Sequence, residues 1–290
     1  MKNFKRKVAV ITGAAGGIGR AIAERCGQEG MKVVIADVEK GALRQTAKEM
    51  KAAGIEVMPV LTDVSKYGDV EKLSKKTCDA YGSVHLLFNN AGVTTGTVIW
   101  ESTLADWKWL LGVNLWGVIH GIRVFVPIML KQDTECHIVN TASMAALISY
   151  PGRGIYTVTK HAVLALSEKL YHELSWQGAK IKVSVLLPGS VKTGIWDADR
   201  NRPTALQNDP RDEKKLSSGY QSMNEMGRLA LESGISPRQV ADCVFDAIRK
   251  DKFYIITHPE MKPLLQLRAD DILQERNPTN PFADMMPPVR

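Results

Sequence analysis

The sequence predicts an α/β fold, a single doubly wound parallel sheet of about seven strands with helices on both faces. Two observations predict it. Short apolar, β-branched runs alternate with helical stretches along the chain, the pattern of βαβ units with right-handed crossovers. A glycine-rich segment, TGAAGGIG at 12–19, lies where the first strand hands over to the first helix.

KVAVI (7–11) is apolar throughout, as a parallel strand buried on both faces must be. The helical stretch RAIAERCGQEG closes at Gly30. KVVIAD (32–37) is the second strand, 39–53 a helix stopped by Gly54, and IEVMPVLTD (55–63) the third strand. A helix over 66–81 precedes HLLFNNAG (85–92), the fourth strand. Residues 103–131 form one or two helices, HIVNTAS (137–143) the fifth strand, and 155–177 a long helix. KVSVLLPG (182–189) is the sixth strand, 236–250 a helix, and FYIIT (253–257) the seventh strand. Two segments break the rhythm. Residues 190–235 are long and polar, with a helix signal at 217–233, and are expected to be a lid or disordered. The Pro-rich tail, 278–290, is expected to be extended or docked on a neighbour. No linker divides the rest, so 1–277 reads as one domain.

With 290 residues, 44% hydrophobic and 24% charged, the composition is that of a globular protein. No uninterrupted apolar run reaches the ~20 residues of a membrane span. The basic start MKNFKRKVAVITG has too short an apolar part for a signal peptide, so a cytoplasmic location is expected. Cys26, Cys78, Cys136 and Cys243 are scattered, with no C-x-x-C pair. They read as buried free thiols, and no metal site is expected. The net charge of +7 is dispersed apart from Lys2, Lys5, Arg6 and Lys7. No basic stripe is interleaved with aromatics, which argues against nucleic-acid binding.

A glycine loop between strand and helix points free N–H groups at whatever lies above it, and suits a pyrophosphate. Gly13 supplies the turn, while Gly17 and Gly19 permit close approach. A tight turn in any α/β protein has the same look. The spacing is not G-x-G-x-x-G, because Ile22 stands at the last position. Asp37 ends the second strand, where an acidic residue of a Rossmann-type sheet bonds the adenosine ribose. A carboxylate there repels a 2′-phosphate, favouring NAD over NADP, and Val38 follows it; Arg20 and Lys40 nearby weigh the other way. Asp37 also reads as a helix cap.

At these residues the chain resembles the short-chain dehydrogenase/reductase (SDR) family, over about residues 5–257. TGAAGGIG matches its T-G-x-x-x-G-x-G loop, with Gly13, Gly17, Ile18 and Gly19 toward the cofactor. Asn90, Ala91 and Gly92 belong to its sheet-stabilising N-N-A-G. Asp63 and Val64 match its adenine contact, and Pro188, Gly189, Val191 and Thr193 its cofactor clamp. Asn114, Ser143, Tyr156 and Lys160 match its catalytic set. GVNLWGVIHGIRVFVP and FYIITHPE are similar to bacterial members that oxidise bulky secondary alcohols such as aryl carbinols. The resemblance implies a dehydrogenase or ketoreductase, with Lys160 on the nicotinamide ribose and Asn114 holding a water toward Lys160. It also implies a homotetramer or homodimer paired through the helices at 103–131 and 155–177.

The residue types suit that chemistry. Tyr156 and Lys160 are four apart on a predicted helix and share a face. Ser143 ends a strand at the sheet edge where ligands bind. A tyrosine near its usual pKa of ~10 is a poor base at neutral pH. A nearby lysine ammonium and an oxidised nicotinamide ring favour phenolate; a fall of roughly three units takes about 4 kcal/mol. In reverse Tyr156 is the acid that protonates a ketone, and Ser143 donates to the developing alkoxide. Singly, each residue also reads as a packed tyrosine, a solvated lysine, a cap or a turn. For the substrate side the candidates are Ser143, Met144, Tyr150 and Trp196, with Trp100, Ile148 and Ile195 near them; core packing explains several equally well.

Two rivals stay open. A dinucleotide-sensing regulatory protein would use the same fold without turnover, and would keep its role without the Tyr156 hydroxyl. An epimerase or dehydratase also uses Tyr-x-x-x-Lys, with a T-G-x-x-G-x-x-G loop and a larger C-terminal domain than this chain has.

Overall fold

The computed structural model of the chain describes residues 1–96, 98–209 and 218–283. Among these, seven strands form one parallel sheet: β1 (Val8–Thr12), β2 (Lys32–Asp37), β3 (Val57–Leu61), β4 (Leu86–Asn89), β5 (Cys136–Thr141), β6 (Ile181–Leu187) and β7 (Tyr254–Ile256). Their order is β3-β2-β1-β4-β5-β6-β7. The helices are α1 (Gly17–Gln28), α2 (Lys40–Ala52), α3 (Tyr67–Tyr81), α4 (Leu104–Leu110), α5 (Gly117–Gln132), α6 (Gly154–Trp176), α7 (Ser218–Glu232), α8 (Pro237–Arg249) and α9 (Lys262–Leu273). This is the doubly wound, Rossmann-type sheet that the alternation of elements predicts.

Side chains alternate across a strand. Ala9 and Ile11 of β1 therefore enter one core with Ile22 of α1 and Phe245 of α8. Val8 and Val10 enter the other, with Phe125 and Met129 of α5 and Leu170 of α6. Both faces are covered, as an all-parallel sheet requires. The chain runs outward from β1 to β3, then returns to set β4 on the other side of β1. That reversal opens a crevice at the carboxyl ends of β1 and β4.

The strands are shorter at this edge than the sequence suggests. β4 stops at Asn89, β5 at Thr141 and β6 at Leu187. Asn90-Ala91-Gly92, Ala142-Ser143 and Pro188-Gly189 leave the ladder as loops, although their composition continues the apolar runs. Residues 103–131 are one continuous helical run, with a π-helical stretch Leu111–Trp116 between α4 and α5. The run Leu104–Gln132 is long and apolar enough to cross a membrane by composition. Its inner face packs in the core instead, through Phe125 and Met129. Two cysteines, Cys78 and Cys243, are half-buried and not buried as expected.

The stretch 190–235 is more ordered than its polarity suggests. Short 3₁₀ turns cover Gly194–Asn201 and Thr204–Leu206, and α7 covers 218–232 of the helix signal at 217–233; Ser233 lies in a turn, and 217 lies with 210–216 outside the described residues. Val191 pairs with Ile235, closing the stretch at its base. Buried Arg202 bonds buried Asp106 of α4 at 2.7 Å. The described part of the tail, through Ala283, folds back on its own chain: Thr279 N–H bonds Asp271 at 2.9 Å. Residues 284–290 lie outside the described residues.

A buried polar chain ties sheet to helices. Asn89 donates to Asn140 (2.8 Å), Asn140 to Ser167 (3.0 Å), and Ser167 to the Val163 carbonyl (2.7 Å). Gly121 of α5 passes so close that a Cβ would sit 2.0 Å from Asn89 Oδ1. Gly121→Ala is therefore expected to destabilise the fold by about 1–3 kcal/mol, the usual cost of overpacking. A thermal melt checks this, and an unchanged midpoint contradicts it.

Candidate active site

All the sequence-predicted site residues except Asn114 and Trp196 line one cavity of about 850 Å³ at the carboxyl edge of the sheet. The glycine loop forms its floor. Gly13 and Gly17 adopt positive φ (65° and 53°), which glycine tolerates best. A Cβ on Gly19 would lie 2.1 Å from the Gly13 carbonyl and 2.5 Å from Asn90 Nδ2. Thr12 and Asn90 stitch the loop to the end of β4. The Thr12 hydroxyl accepts from the Asn90 and Ala91 N–H groups (3.0 and 3.2 Å), and Asn90 Nδ2 donates to the Thr12 carbonyl (3.0 Å). No side chain caps the start of α1. Its first N–H groups stay available, and Gly17, Ile18 and Gly19 border the cavity. A bare backbone cradle at a helix N-terminus fits a dinucleotide pyrophosphate.

The adenosine end carries the acidic groups. Asp37 accepts from the Ala15 and Glu39 N–H groups, both at 2.9 Å. It thus holds the loop and turns the chain toward α2, and each carboxylate oxygen retains acceptor capacity for ribose hydroxyls. Burial raises its pKa, against the pull of those two bonds. Val38 stands 47% exposed beside it. Arg20 is held by Glu24 and Glu49, each at 2.7 Å. Asp63 accepts from Ser65 Oγ at 2.6 Å, and Val64 is buried next to it. On the opposite wall Gly189 N–H donates to His258 Nδ1 at 3.1 Å, and Thr193 lies close enough to Gly17 that a Cβ there would sit 3.1 Å from Thr193 Cγ2.

The candidate reacting groups meet where β5 hands over to α6. Tyr156 and Lys160 share the inner face of α6 and both are buried. Lys160 Nζ lies 5.5 Å from the Tyr156 ring centroid and donates to the Thr141 carbonyl at 2.9 Å. Burial lowers the lysine pKa to about 8. Burial pushes the Tyr156 phenol up, while a hydrogen bond with Ser143 and the charge of Arg153 pull it down. The net direction in the protein without a dinucleotide is upward: desolvation outweighs both helpers. The Ser143 hydroxyl also accepts from Ala145 N–H (3.1 Å) and reaches the Pro188 carbonyl (3.4 Å).

Asn114 stands behind the wall, in the π-helical stretch. Its amide clamps Val93, accepting from the Val93 N–H (2.8 Å) and donating to its carbonyl (2.9 Å), and it reaches Thr159 Oγ1 (3.1 Å). Gly92 passes between Asn114 and Lys160: a Cβ there would lie 3.5 Å from Asn114 Oδ1 and 3.4 Å from Lys160 Nζ.

On the substrate side Met144, Ile148, Tyr150 and Ile195 line the cavity. Trp100 does not; it is 76% exposed. Trp196 lies behind the lining, with the Arg153 guanidinium 4.0 Å above its ring and Gly227 against it. Arg153 itself borders the cavity in a left-handed conformation (φ 52°). Sequence reading missed Arg153 and His258. Arg153 carries no motif. His258 follows the last strand, and its signal was Gly189, whose Cβ would collide with the His258 ring at 2.7 Å.

The buried lysine yields a test of sign. A fall from 10.5 to about 8 corresponds to about 3 kcal/mol of destabilisation while the folded lysine is charged. Below pH 8 the lysine is protonated in both the folded and the unfolded chain, so the penalty is full. It shrinks as pH rises through 8 and disappears near 10.5. Lys160→Met is therefore expected to stabilise the protein at pH 7 by up to about 3 kcal/mol, less the lost bond to Thr141, and by almost nothing near pH 10.5. Urea unfolding at both pH values measures it; a variant less stable at pH 7 contradicts it.

Comparison with known proteins now bears on this geometry. Residues 7–204 match the short chain dehydrogenase family. The chain is 48% identical to a short chain dehydrogenase/reductase from Burkholderia phymatum, solved in complex with NAD. The two superpose with a TM-score of 0.93, covering 97% of this chain and 99% of that one. It is 35% identical over 278 residues to the CLA biosynthesis dehydrogenase/reductase of Lactiplantibacillus plantarum, covering 96% of this chain and 97% of that protein. It is 32% identical over 283 residues to the Cα-dehydrogenase of Sphingobium sp. (strain NBRC 103272 / SYK-6), covering 96% and 89%. On this similarity along nearly its whole length, the chain belongs to the short-chain dehydrogenase/reductase family of NAD(P)-binding oxidoreductases.

Proposed function

We propose that the protein is an NAD-dependent dehydrogenase that interconverts a bulky, apolar or aromatic secondary alcohol and its ketone. The observation that carries this reading is the convergence of Ser143, Tyr156 and Lys160 on one cavity with the glycine loop. Tyr156 takes the hydroxyl proton as the alcohol is oxidised and returns it to the ketone oxygen in reverse. Ser143 donates to the oxygen as it gains charge. Lys160 holds the ribose hydroxyls and offsets the phenolate. Asn114 is a positioning residue that fixes Val93 beside Lys160 and supports a water there. Bound oxidised nicotinamide supplies the hydride acceptor and a positive charge that favours phenolate.

The choice of NAD rests on Asp37, which would face a 2′-phosphate with a negative charge. Arg20 is engaged by two carboxylates and Arg200 by Glu39 at 2.8 Å, which leaves exposed Lys40 as the nearby cation that weighs toward a phosphate. The substrate reading rests on the apolar wall of Met144, Ile148, Tyr150 and Ile195 and on the likeness to a protein named a Cα-dehydrogenase. The stretch 190–235 is read as the cover of this wall. A cytoplasmic homotetramer or homodimer, paired through α5 and α6, is part of the same proposal; Trp116 and Val158 stand exposed there.

Reduction of NAD and NADP, followed over secondary alcohols from small aliphatic to aryl, tests the reading. NAD turnover is expected to rise with apolar bulk and to fall about 10²–10⁴-fold in Tyr156→Phe. Preference for NADP would overturn the role of Asp37. Tight NAD binding, no turnover and a Tyr156→Phe variant that keeps its biological role would favour the dinucleotide sensor instead.

A further inference from the structure

The segment after β7 is the part of the molecule the resemblance leaves unassigned, yet Met261, Leu264 and Phe282 reach the cavity. Arg268 of α9 donates to the Leu147 carbonyl at 3.1 Å, tying the helix to the segment between Ser143 and Tyr156. Past α9 the chain reverses. Glu275 takes a left-handed conformation (φ 53°), and Arg276 N–H bonds the Asp271 carbonyl at 2.8 Å.

Asp271 gathers the returning strand of chain. Its Oδ1 accepts from Arg276 Nε and Nη2, both at 3.0 Å, and its Oδ2 from Thr279 N–H at 2.9 Å. Asn280 Oδ1 then accepts from Phe282 N–H at 3.1 Å. Asp271 is the buried residue of α9. A buried carboxylate needs such partners, and here the partners belong to the turn that delivers one ring. Phe282 meets Tyr150 edge to face, with centroids 5.1 Å apart and planes at 90°. That arrangement suits the quadrupoles of two aromatic rings. Both rings border the cavity, so an aryl group entering it meets aromatic surface from two directions.

We propose that Phe282, carried on the turn stapled by Asp271 and packed on Tyr150, is a specificity-determining wall that selects aryl-bearing secondary alcohols and ketones. The inference rests on the cavity's reading as a secondary-alcohol site. Asp271 acts through Phe282 and is a positioning residue.

The test uses the full chain with its dinucleotide. Kinetic constants are measured for 1-(2-naphthyl)ethanol and 2-butanol, and 2-acetonaphthone is titrated calorimetrically into protein saturated with NAD, a pair that cannot react. Phe282→Ala is expected to raise KM for the naphthyl alcohol about tenfold, leave its kcat and both constants for 2-butanol within about twofold, and weaken ketone binding about tenfold. Phe282→Leu, which keeps an apolar side chain, is expected to shift the same constants less. Asp271→Asn should move KM and not kcat, in the same direction. Equal changes for both alcohols, unchanged ketone binding in Phe282→Ala, or no binding of the ketone to the parent protein would overturn the wall. Ketone binding that depends on Phe282 without turnover of any alcohol would support the wall and sink the dehydrogenase reading.

Discussion

A buried ammonium organises the part of this molecule where β5 hands over to α6. Lys160 sits on the inner face of α6 with one hydrogen-bond acceptor among the described residues, the Thr141 carbonyl. An isolated charge in such a place is costly, and the fall of its pKa to about 8 expresses the strain. The surroundings are arranged around that charge. β5 ends at Thr141 so that its carbonyl faces the ammonium. Gly92 passes beside it with no side chain. The π-helical stretch pushes Asn114 inward to clamp Val93 and hold that passage in place. A site built this way stores a demand for acceptors, which ribose hydroxyls and a phenolate can satisfy.

The cofactor half rests on topology. The reversal between β3 and β4 sets β1 beside β4 and leaves their carboxyl ends as the rim of a crevice. Thr12 and Asn90 then lock the two rims together, so the glycine loop is held open and α1 presents bare N–H groups. Asp37 contributes on both counts. It bonds Ala15 within the loop and Glu39 beyond it while facing the cavity. The fold and the binding surface are therefore made by the same hydrogen bonds.

Much of this was legible because it is local. The four-residue spacing of Tyr156 and Lys160 puts them on one helix face in any helix, and loops after parallel strands collect at one edge whatever the strands' neighbours. The turns that end β4, β5 and β6 were harder, since NAG, AS and PG continue an apolar run while their backbones leave the sheet. Asn114 was found by resemblance, but its clamp on Val93 depends on a helical irregularity that no periodicity announces. α9 escaped because it buries little beyond Asp271 and carries no hydrophobic period. Trp100 and Trp196 are expected near the pocket because their segments should border it. One stands in solvent and the other under Arg153, while Met144, Ile148, Tyr150 and Ile195 line the cavity together with Met261, Leu264 and Phe282 of the C-terminal segment.

Burial raises the Tyr156 phenol in the protein alone, and the positive ring of a bound oxidised dinucleotide would pull it down. The most direct measurement is the ionisation of Tyr156, read as the ultraviolet difference between the parent protein and Tyr156→Phe across pH, with and without saturating NAD. The account predicts an ionisation above the usual ~10 in the protein alone and well below it with NAD bound. A phenol that still ionises at ~10 or higher with NAD bound would contradict Tyr156 as the acid/base of this site.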